Sequence, residues 1–336
     1  MEIIRGWGHR AFPIGDASRV GEVRRYISQL GTAQGWTDTD TGRLAIVTTE
    51  LATNLLRHAR QGEMWIATRT PFDEIEVIAA DRGPGIDNIH EAMRDGASTR
   101  KDSTGTGLGA LSRLADDFDC TTSAEGTICV ARVRPASASR TLLSRRLGAI
   151  CLAVPPEPVS GDAWSLCEDE GRVTLLMADG LGHGALAAQA SQAALDAFAE
   201  GPGDPLDLVM RRCHVALQGT RGAALLAVRV QAEALQSCGA GNVAARAFSG
   251  LVERSLMGQH GTVGLQIPTL MVSSQERPKH SALVMYTDGI TTRWQTKDYA
   301  GLLSRDATLL AAAILWRNTR GRDDATVVVM QAQEAL

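Results

Sequence analysis

The sequence is poor in aromatic residues, has almost no net charge and contains no long apolar run. Phe, Trp and Tyr make up 4% of its 336 residues, which is too few for a platform on which nucleic-acid bases stack. The 34 Lys and Arg nearly balance the 38 Asp and Glu, so the net charge is only −4, whereas nucleic-acid-binding domains carry a basic face. No run of about 18 apolar residues is present, as a membrane-spanning helix would require. These absences argue against nucleic acid and membrane as partners.

Cysteine is also sparse, and no two cysteines form a motif. The six are Cys120, Cys129, Cys151, Cys167, Cys213 and Cys238. Without a close pair or neighbouring histidines they predict neither a disulfide framework nor a zinc site, and we expect unreactive, buried thiols. The first ten residues lack the apolar core of a secretory signal. A cytoplasmic protein is therefore expected.

Two segments of different character meet at a short polar stretch. The length favours two domains at roughly 150 residues each. Residues 136–141 show no apolar periodicity and are predicted to be a linker. This organisation places one domain at 1–135 and a second at 142–336.

The two domains have different patterns of helices and strands. Helical spacing in the first predicts one helix after Asp16 and another over 40–59, laid on one face of a mixed sheet. A further helix is predicted from about 107 to 118. The second domain is richer in strands, which predicts a β-sandwich flanked by helices. Its helices are expected near 184–199, 205–217 and 304–316.

Two polar motifs stand out in the first domain. Glu50 and Asn54 are four residues apart in a predicted helix, so both side chains point to one face; an ordinary solvated stripe would show the same spacing. Asp81 ends an apolar strand and is followed by Gly83 and Gly85, and glycines allow the backbone to approach a ligand closely. Together these residues are candidates for a ligand site.

A third motif is rich in glycine and leads into the helix predicted at 107–118. It consists of Gly105, Thr106, Gly107, Leu108 and Gly109. Exposed N–H groups and the helix dipole favour a phosphate at such a position, although a plain helix-entry turn also uses glycines.

In this order and spacing, the three motifs resemble the N, G1 and G2 boxes of the Bergerat-fold (GHKL) ATPases. Over about residues 5–134 the segment is most similar to the small serine kinases of bacterial partner switching, and 91–99 and 111–119 resemble the stressosome switch kinase. The resemblance implies an α/β sandwich that binds ATP and Mg²⁺.

The same resemblance assigns a role to each motif. Asn54 would hold Mg²⁺ through its amide oxygen, and Asp81 would accept a hydrogen bond from the adenine amino group. Gly83 and Gly85 would lie against the nucleotide, and residues 105–109 would cradle its phosphates. Glu50 would be the general base that takes the proton of an incoming Ser or Thr hydroxyl.

The second domain carries aspartates at strand ends. A hairpin with its turn at 168–171 places Asp162 nearly opposite Ala178, and hence beside Asp179. Asp288 ends a further strand. Converging carboxylates repel one another unless a cation neutralises them, and oxygen ligands suit Mg²⁺ or Mn²⁺.

A second acidic pair, Asp323 and Asp324, precedes the last strand. For any single aspartate of the set, an ordinary turn is an open alternative, because Asp-Gly is a common turn pair. The arrangement of all of them at one rim favours a metal site.

Residues 160–162, 178–184, 287–289 and 323–326 resemble the motifs of PPM-type, SpoIIE-like serine/threonine phosphatases. The likeness runs over about 142–331, and the amino-acid sequences of residues 179–184 and 261–266 are most similar to the stressosome feedback phosphatase. It implies two Mn²⁺ or Mg²⁺ ions that activate a water for attack on phosphoserine or phosphothreonine.

In this family pattern Asp179 would bridge the ions and be essential to catalysis, and the Gly180 carbonyl would add a ligand. Asp162, Asp288 and Asp323 would complete the site, with Asp323 favoured over its neighbour Asp324. Unlike the larger PPM enzymes, this sequence has no evident phosphate-binding arginine near the first acidic motif, which leaves open how the substrate phosphate is held.

The two resemblances imply one α+β chain, a Bergerat-fold sandwich followed by a PPM-type β-sandwich. Its expected function is that of a bifunctional partner-switching regulator, a kinase joined to the opposing phosphatase. The implied substrate is a STAS-domain protein, with a downstream regulator as a possible partner of the kinase domain. The resemblance leaves open whether the protein forms a homodimer, since kinases of this type often pair. The alternative is a phosphatase whose first domain only senses ATP or sequesters a regulator.

Overall fold

The computed structural model describes residues 1–93, 108–267 and 269–332. The chain divides into two compact units, one formed by His9–Thr141 and the other by Leu142–Leu336 together with Met1–Gly8. This division differs from the predicted domains at 1–135 and 142–336 in its treatment of the first eight residues, which belong to the second unit.

The first eight residues join the second unit as an edge strand. Strand β1 (Glu2–Arg5) pairs antiparallel with β8 (Asp162–Asp169), and the Ser165 hydroxyl donates a hydrogen bond to the Ile4 carbonyl at 2.9 Å. Trp7 then packs edge-on against Trp164, with ring centroids 4.7 Å apart. A four-residue strand is too short to show an alternating pattern, so this pairing had no signal in the sequence.

The first unit consists of a five-stranded sheet and four α-helices in its described part. The sheet order is β2-β3-β4-β6-β5. The strands are β2 (Arg10–Ile14), β3 (Gly62–Arg69), β4 (Glu74–Asp81), β5 (Asp117–Ser123) and β6 (Gly126–Val133). The helices are α1 (Ala17–Ala33), α2 (Asp38–His58), α3 (Ile89–Ala92) and α4 (Leu108–Leu114).

Helices α1 and α2 form as their apolar spacing predicts. Asp16 caps α1 by accepting hydrogen bonds from the backbone N–H groups of Ser18 and Arg19. The apolar face of α2 is buried against one face of the sheet, and burial of each such side chain stabilises the fold by roughly 1.5–3 kcal/mol. Its buried residues include Leu44, Val47, Leu51 and Leu55.

Two expectations for this unit are wrong. The sheet is antiparallel at every described pairing rather than mixed, and hairpins that reverse the chain join β3 to β4 and β5 to β6. The helix predicted at 107–118 ends at Leu114. It stops there because the backbone of Asp116 bonds to the Arg132 carbonyl and Asp117 begins β5.

The other face of the sheet in this unit carries a buried ionic network. Glu76 is fully enclosed, with Arg132 Nε at 2.7 Å, Arg69 Nη1 at 3.2 Å and His9 Nε2 at 3.3 Å from its carboxylate oxygens. Burial alone would raise the pKa of Glu76, but the two guanidinium groups and His9 outweigh burial and hold that pKa far below its usual range. The carboxylate is therefore charged at neutral pH.

Glu76→Gln is expected to destabilise the first unit by about 3 kcal/mol, because it leaves the two buried guanidinium groups of Arg69 and Arg132 to share the carboxylate of Glu74, which lies within 4.0 Å of both. A carboxyl with a lowered pKa stabilises the fold above its unfolded pKa of about 4.3 and loses that contribution as pH falls. Urea denaturation at pH 7 and at lower pH tests this. Glu22→Gln, at an exposed pair with Arg19, should change stability by less than about 1 kcal/mol; equal effects of the two substitutions would contradict the network's role.

The second unit is a pair of antiparallel sheets flanked by helices, which confirms the predicted fold class. Their orders are β1-β8-β9-β10-β11-β14 and β13-β12-β15-β16-β7. The remaining strands are β7 (Leu147–Leu152), β9 (Arg172–Gly180), β10 (Ala223–Val230), β11 (Ala234–Ala240), β12 (Ala244–Phe248), β13 (Glu253–Met257), β14 (Ser273–Glu276), β15 (Ala282–Tyr286) and β16 (Ala325–Gln331). The helices are α5 (Leu142–Arg146), α6 (Ala185–Ala199), α7 (Leu206–Ala216) and α8 (Ala307–Asn318).

Helices cover both sheets of this unit. Helices α6 and α7 share a buried apolar cluster with β9, β10 and β11. Helix α8 packs on β7 and β16 and is buried along almost its whole length. This layering leaves the strand ends, where the aspartates lie, at the rim of the sandwich.

Candidate nucleotide and metal sites

Helix α2 carries the first polar pair. Glu50 and Asn54 are partly exposed and lie one turn apart, beside the apolar face that includes Leu51 and Leu55. That face packs in the core with Ala79 of β4 and Cys129 of β6. The two polar side chains are therefore carried by a helix that packs on the sheet, and Asp81 is the last residue of strand β4 in that sheet.

Asp81 organises the turn that follows β4. Its Oδ1 atom accepts hydrogen bonds from the backbone N–H groups of Gly83 at 2.5 Å and Thr127 at 3.4 Å. The N–H of Ile86 donates to Thr122 Oγ1 at 2.8 Å, and the hydroxyls of Thr122 and Thr127 are 3.1 Å apart. The β5–β6 hairpin thus holds the turn in place through two threonines that sequence reasoning missed.

The glycines of this turn are required by packing. Gly85 has a positive φ of 79°, and a Cβ there would lie 2.2 Å from the Ser123 carbonyl oxygen. A Cβ on Gly83 would lie 2.8 Å from Asp81 Oδ1. The close approach of both glycines to a nucleotide stays a prediction, while the close approach of Gly85 to the β5–β6 hairpin is a property of the fold.

The third motif is only partly within the described residues. Gly105, Thr106 and Gly107 lie outside them. Leu108 and Gly109 are buried in the first turn of α4, and the Leu108 side chain belongs to the apolar core. Leu108 would therefore take part in phosphate binding only through its backbone N–H. That group is available because the first N–H groups of a helix have no partner within the helix.

A close cysteine pair lies beside the two threonines. Cys120 and Cys129 are directly opposite each other in β5–β6, with their Sγ atoms 2.9 Å apart. The hairpin brings them together although they are nine residues apart in sequence. All six cysteines are buried and none of them forms a disulfide, as the sequence predicted.

Two of the predicted metal ligands are paired directly across a β-hairpin. Asp162 is opposite Asp179 in the β8–β9 hairpin, one residue away from the predicted partner Ala178. The shift arises because the turn contains only two residues, Glu170 and Gly171, both at positive φ, as two-residue hairpin turns require. The two carboxylates are therefore closer neighbours than the sequence indicated.

The carboxylates raise one another's pKa values. Burial and the charge of Asp179 raise the pKa of Asp162 well above its usual range. Burial and the charges of Asp288 and Asp323 raise the pKa of Asp179 to about 7. Burial and Asp323 likewise raise the pKa of Asp288. The structure therefore brings these four predicted residues into one electrostatic neighbourhood.

Neighbouring side chains position two of these carboxylates. Thr287 Oγ1 donates to Asp162 Oδ2 at 2.8 Å, and Asn242 Nδ2 donates to Asp288 Oδ2 at 2.6 Å. Thr287 precedes Asp288 in sequence and could have been suspected, whereas Asn242 lies in a separate loop with no motif to mark it.

The adjacent aspartates have different surroundings. Asp324 accepts hydrogen bonds from the backbone N–H groups of Val154 at 2.7 Å and Gly161 at 2.5 Å, one on each oxygen. It therefore ties two loops to the rim. The charges of both aspartates raise the pKa of Asp179, and that of Asp323 also raises the pKa of Asp288. Because both oxygens of Asp324 already accept backbone hydrogen bonds, Asp323 stays the preferred candidate ligand.

The donor chemistry of this rim fits a hydrated divalent ion. No three His, Cys, Asp or Glu side chains in the described part of the chain are grouped so that they could hold a metal by themselves. Mg²⁺, however, usually keeps several waters and binds one or two carboxylates. Asp179 with Asp288, Asp323 or the Gly180 carbonyl would supply that number, so the metal assignment stays a prediction that the residue types support.

Two arginines lie near this rim. Arg320 is close enough to Asp288 to lower its pKa against the larger effect of burial. Arg221 approaches the Gly-rich turn, with its Nη1 atom 3.0 Å from where a Cβ on Gly182 would be. Both are exposed, and neither belongs to a motif that sequence reasoning could have used.

Comparison with known proteins gives one family match in the front part of the chain. The model of the histidine kinase-like ATPase domain matches residues 15–133. The serine/threonine-protein kinase RsbT of Bacillus subtilis is 35% identical over 96 residues, which are 28% of this chain and 71% of that protein. Among the described helices, none is long and apolar enough to cross a membrane.

Solved structures resemble the rest of the chain. A chain from the bacterial stressosome, described as a modular system adapted to control secondary messenger signalling, has a TM-score of 0.52 and 26% identity, covering 55% of this chain and 97% of that one. RsbX in complex with magnesium has a TM-score of 0.50 and 20% identity, covering 55% of this chain and 94% of that one. The likeness to RsbX shows a shared fold.

Proposed function

Because this chain belongs to the histidine kinase-like ATPase family through residues 15–133 and its second unit shares the fold of RsbX, we propose that it is a bifunctional partner-switching enzyme. Its first unit transfers the γ-phosphoryl group of ATP to a Ser or Thr. Its second unit hydrolyses the phosphoester formed on such a residue. The observation that carries the proposal is the carboxylate cluster around Asp179 in the same chain as Glu50 and Asn54.

In the kinase reaction, Glu50 takes the proton of the substrate hydroxyl as the hydroxyl oxygen attacks the γ-phosphorus, the bond from the γ-phosphorus to the β,γ-bridging oxygen breaks, and ADP leaves. Asp81 accepts a hydrogen bond from the adenine amino group, and the N–H groups of Gly83 and Thr127 orient its carboxylate by donating to Oδ1. Asn54 would hold Mg²⁺, which neutralises charge on the triphosphate when bound.

In the phosphatase reaction, Asp179, Asp288, Asp323 and the Gly180 carbonyl would hold two Mn²⁺ or Mg²⁺ ions, with Asp162 completing the set. When bound, such ions would supply an activated water as the nucleophile for phosphoester hydrolysis. Thr287 and Asn242 keep the carboxylates of Asp162 and Asp288 in place. The products are the free hydroxyl and inorganic phosphate.

The proposed substrate is a STAS-domain protein, on the basis of the likeness to RsbT and to a stressosome chain. If both activities act on one phosphosite at once, their sum is hydrolysis of ATP with no change in the substrate. A useful switch therefore requires that one activity dominates under a given signal.

The proposal is tested by incubating the pure protein with candidate STAS-domain proteins, ATP and Mn²⁺. Mass spectrometry then locates phosphosites, and inorganic phosphate release is followed after ATP is removed. We expect a Ser or Thr on the partner to be phosphorylated and then dephosphorylated only with divalent metal. Phosphate release without prior transfer to any partner would instead indicate a phosphatase with a nucleotide-sensing first unit.

We propose that Arg320 and Arg221 hold the substrate phosphate. Arg320→Gln is expected to raise the KM for phosphoprotein by roughly tenfold with a smaller change in kcat, because a guanidinium–phosphate contact contributes about 1.5–3 kcal/mol. Arg221→Gln should act in the same direction. Steady-state phosphatase kinetics check this against Arg211→Gln, which alters a side chain that is 61% exposed on α7. Unchanged KM in both rim variants would exclude them from the role.

A further inference from the structure

A small cavity lies in the second unit, at the opposite end of the sandwich from the aspartates. It opens between the two sheets and has a volume of about 60 Å³. Glu168 and Gly171, at the turn of the β8–β9 hairpin, form part of its wall. Asp162 is at the open end of that hairpin, six residues from Glu168, which at ~3.3 Å per residue is about 20 Å. The cavity is therefore separate from the metal candidates.

Two arginines, Arg146 and Arg277, line this cavity. The Nη2 atom of Arg146 donates to the Gln331 carbonyl at 2.9 Å, while its buried Nε atom has no hydrogen-bond partner. Arg277 Nη1 donates to the Gln231 carbonyl at 3.3 Å. Both arginines are half-buried, and within the described ranges neither guanidinium has a carboxylate oxygen within 4.0 Å.

The electrostatics of the cavity are unfavourable for two protonated guanidinium groups. Burial lowers the pKa of Arg146; the charge of Glu168 opposes this effect only in part, and the charge of Arg277 adds a smaller lowering. Burial also lowers the pKa of Arg277. Arginine stays protonated in proteins, so the fold keeps two positive charges near one negative charge in a partly desolvated space.

We propose that this cavity binds a small tetrahedral oxyanion, of the phosphate or sulfate class, between Arg146 and Arg277. Such an ion supplies the missing negative charge and an acceptor for Arg146 Nε. The buried Ser281 also lines the cavity and adds a hydroxyl donor. The volume is about four times the ~10–15 Å³ that holds one water, which suits an ion of five heavy atoms. This site does not depend on either proposed activity.

The test uses inorganic phosphate as the probe and the full chain in EDTA, so that metal-bound phosphate does not contribute. Thermal denaturation is followed at about 50 mM phosphate and in sodium chloride of equal ionic strength, since a ligand that binds only the folded state raises Tm. Equilibrium dialysis with labelled phosphate measures affinity. We expect phosphate to raise Tm more than chloride does, with saturable binding.

The variants decide whether the cavity is responsible. Arg277→Gln should weaken phosphate binding roughly tenfold or more, since it removes a charge-assisted contact, and addition of Arg146→Gln should remove the phosphate-specific rise in Tm. Arg211→Gln, which changes an exposed side chain of α7, should behave as wild type. If the double variant fails to fold, Arg277→Gln alone decides the test. The Arg277 side chain makes one long hydrogen bond, to the Gln231 carbonyl at 3.3 Å, so its loss should not unfold the protein. No excess of phosphate over chloride in wild type, or equal binding in wild type and Arg277→Gln, would overturn the proposal.

Discussion

Asp179→Asn is expected to abolish metal-dependent phosphatase activity and, at the same time, to stabilise the metal-free protein. Asp179 is opposite Asp162, and burial together with the charges of Asp288 and Asp323 raises its pKa to about 7. Asparagine keeps the shape of the side chain but removes one of the crowded negative charges. The same substitution removes the ligand proposed to bridge two ions.

The pH dependence of this stabilisation has a definite sign. A carboxyl whose pKa rises on folding binds a proton more tightly in the folded state, so its ionisation weakens the fold as pH rises from about 4 to about 7. The gain from Asp179→Asn should therefore be small near pH 4 and reach about 4 kcal/mol above pH 7. Wild-type protein in EDTA should lose stability over the same range.

Calorimetry in EDTA and in Mn²⁺ measures both effects. Mn²⁺ should raise the Tm of the wild type and leave that of Asp179→Asn nearly unchanged, because binding to the folded state alone stabilises it. Asp169→Asn is the matched control, since Asp169 is at the turn end of the same hairpin and pairs with Arg172. An Asp179→Asn protein that retains Mn²⁺-dependent phosphate release would show that the metal site lies elsewhere.

The local elements of this fold could be predicted well because their signals are local. Asp16 caps α1, and the apolar spacing of α2 gives its buried face without any knowledge of the sheet. By contrast, β1 pairs with a strand about 160 residues away, and four residues contain too little alternation to predict such a pairing. The antiparallel sheet of the first unit was missed for the same reason, since strand direction depends on long-range pairing.

At the sites, sequence reasoning found the charged groups but missed the residues that position them. The aspartates follow strand ends, so topology brings them together. Their hydrogen-bond partners Asn242 and Thr287 have no charge pattern to mark them. The predicted partner of Asp162 was one residue away from the observed partner Asp179. A two-residue and a four-residue turn are difficult to distinguish without the φ angles of Glu170 and Gly171.

Glu50→Gln is expected to lower phosphoryl transfer to a Ser or Thr partner by about 10²–10⁴-fold while leaving ATP binding intact. General-base catalysis contributes a factor of this size, and a glutamine of the same shape cannot take the hydroxyl proton. Glu50 is on the side of α2 next to its buried face, so the change should not disturb the core residues Leu51 and Leu55. Transfer of radiolabel from ATP measures the reaction, and a fluorescent nucleotide measures binding.

Two further variants separate catalysis from nucleotide binding. Asp81→Asn should weaken binding of adenine nucleotides and also loosen the turn that Asp81 holds through the N–H of Gly83, so binding and transfer fall together. Glu22→Gln, at an exposed position of α1, should leave both unchanged. The combination of retained binding with lost transfer in Glu50→Gln alone is specific to a catalytic base. If that variant instead transfers phosphate as the wild type does, Glu50 is not the base, because a carboxylate that takes no proton in the reaction can be replaced by its amide without loss of rate. If it still controls its partner without transfer, the first unit acts as an ATP-dependent binding module.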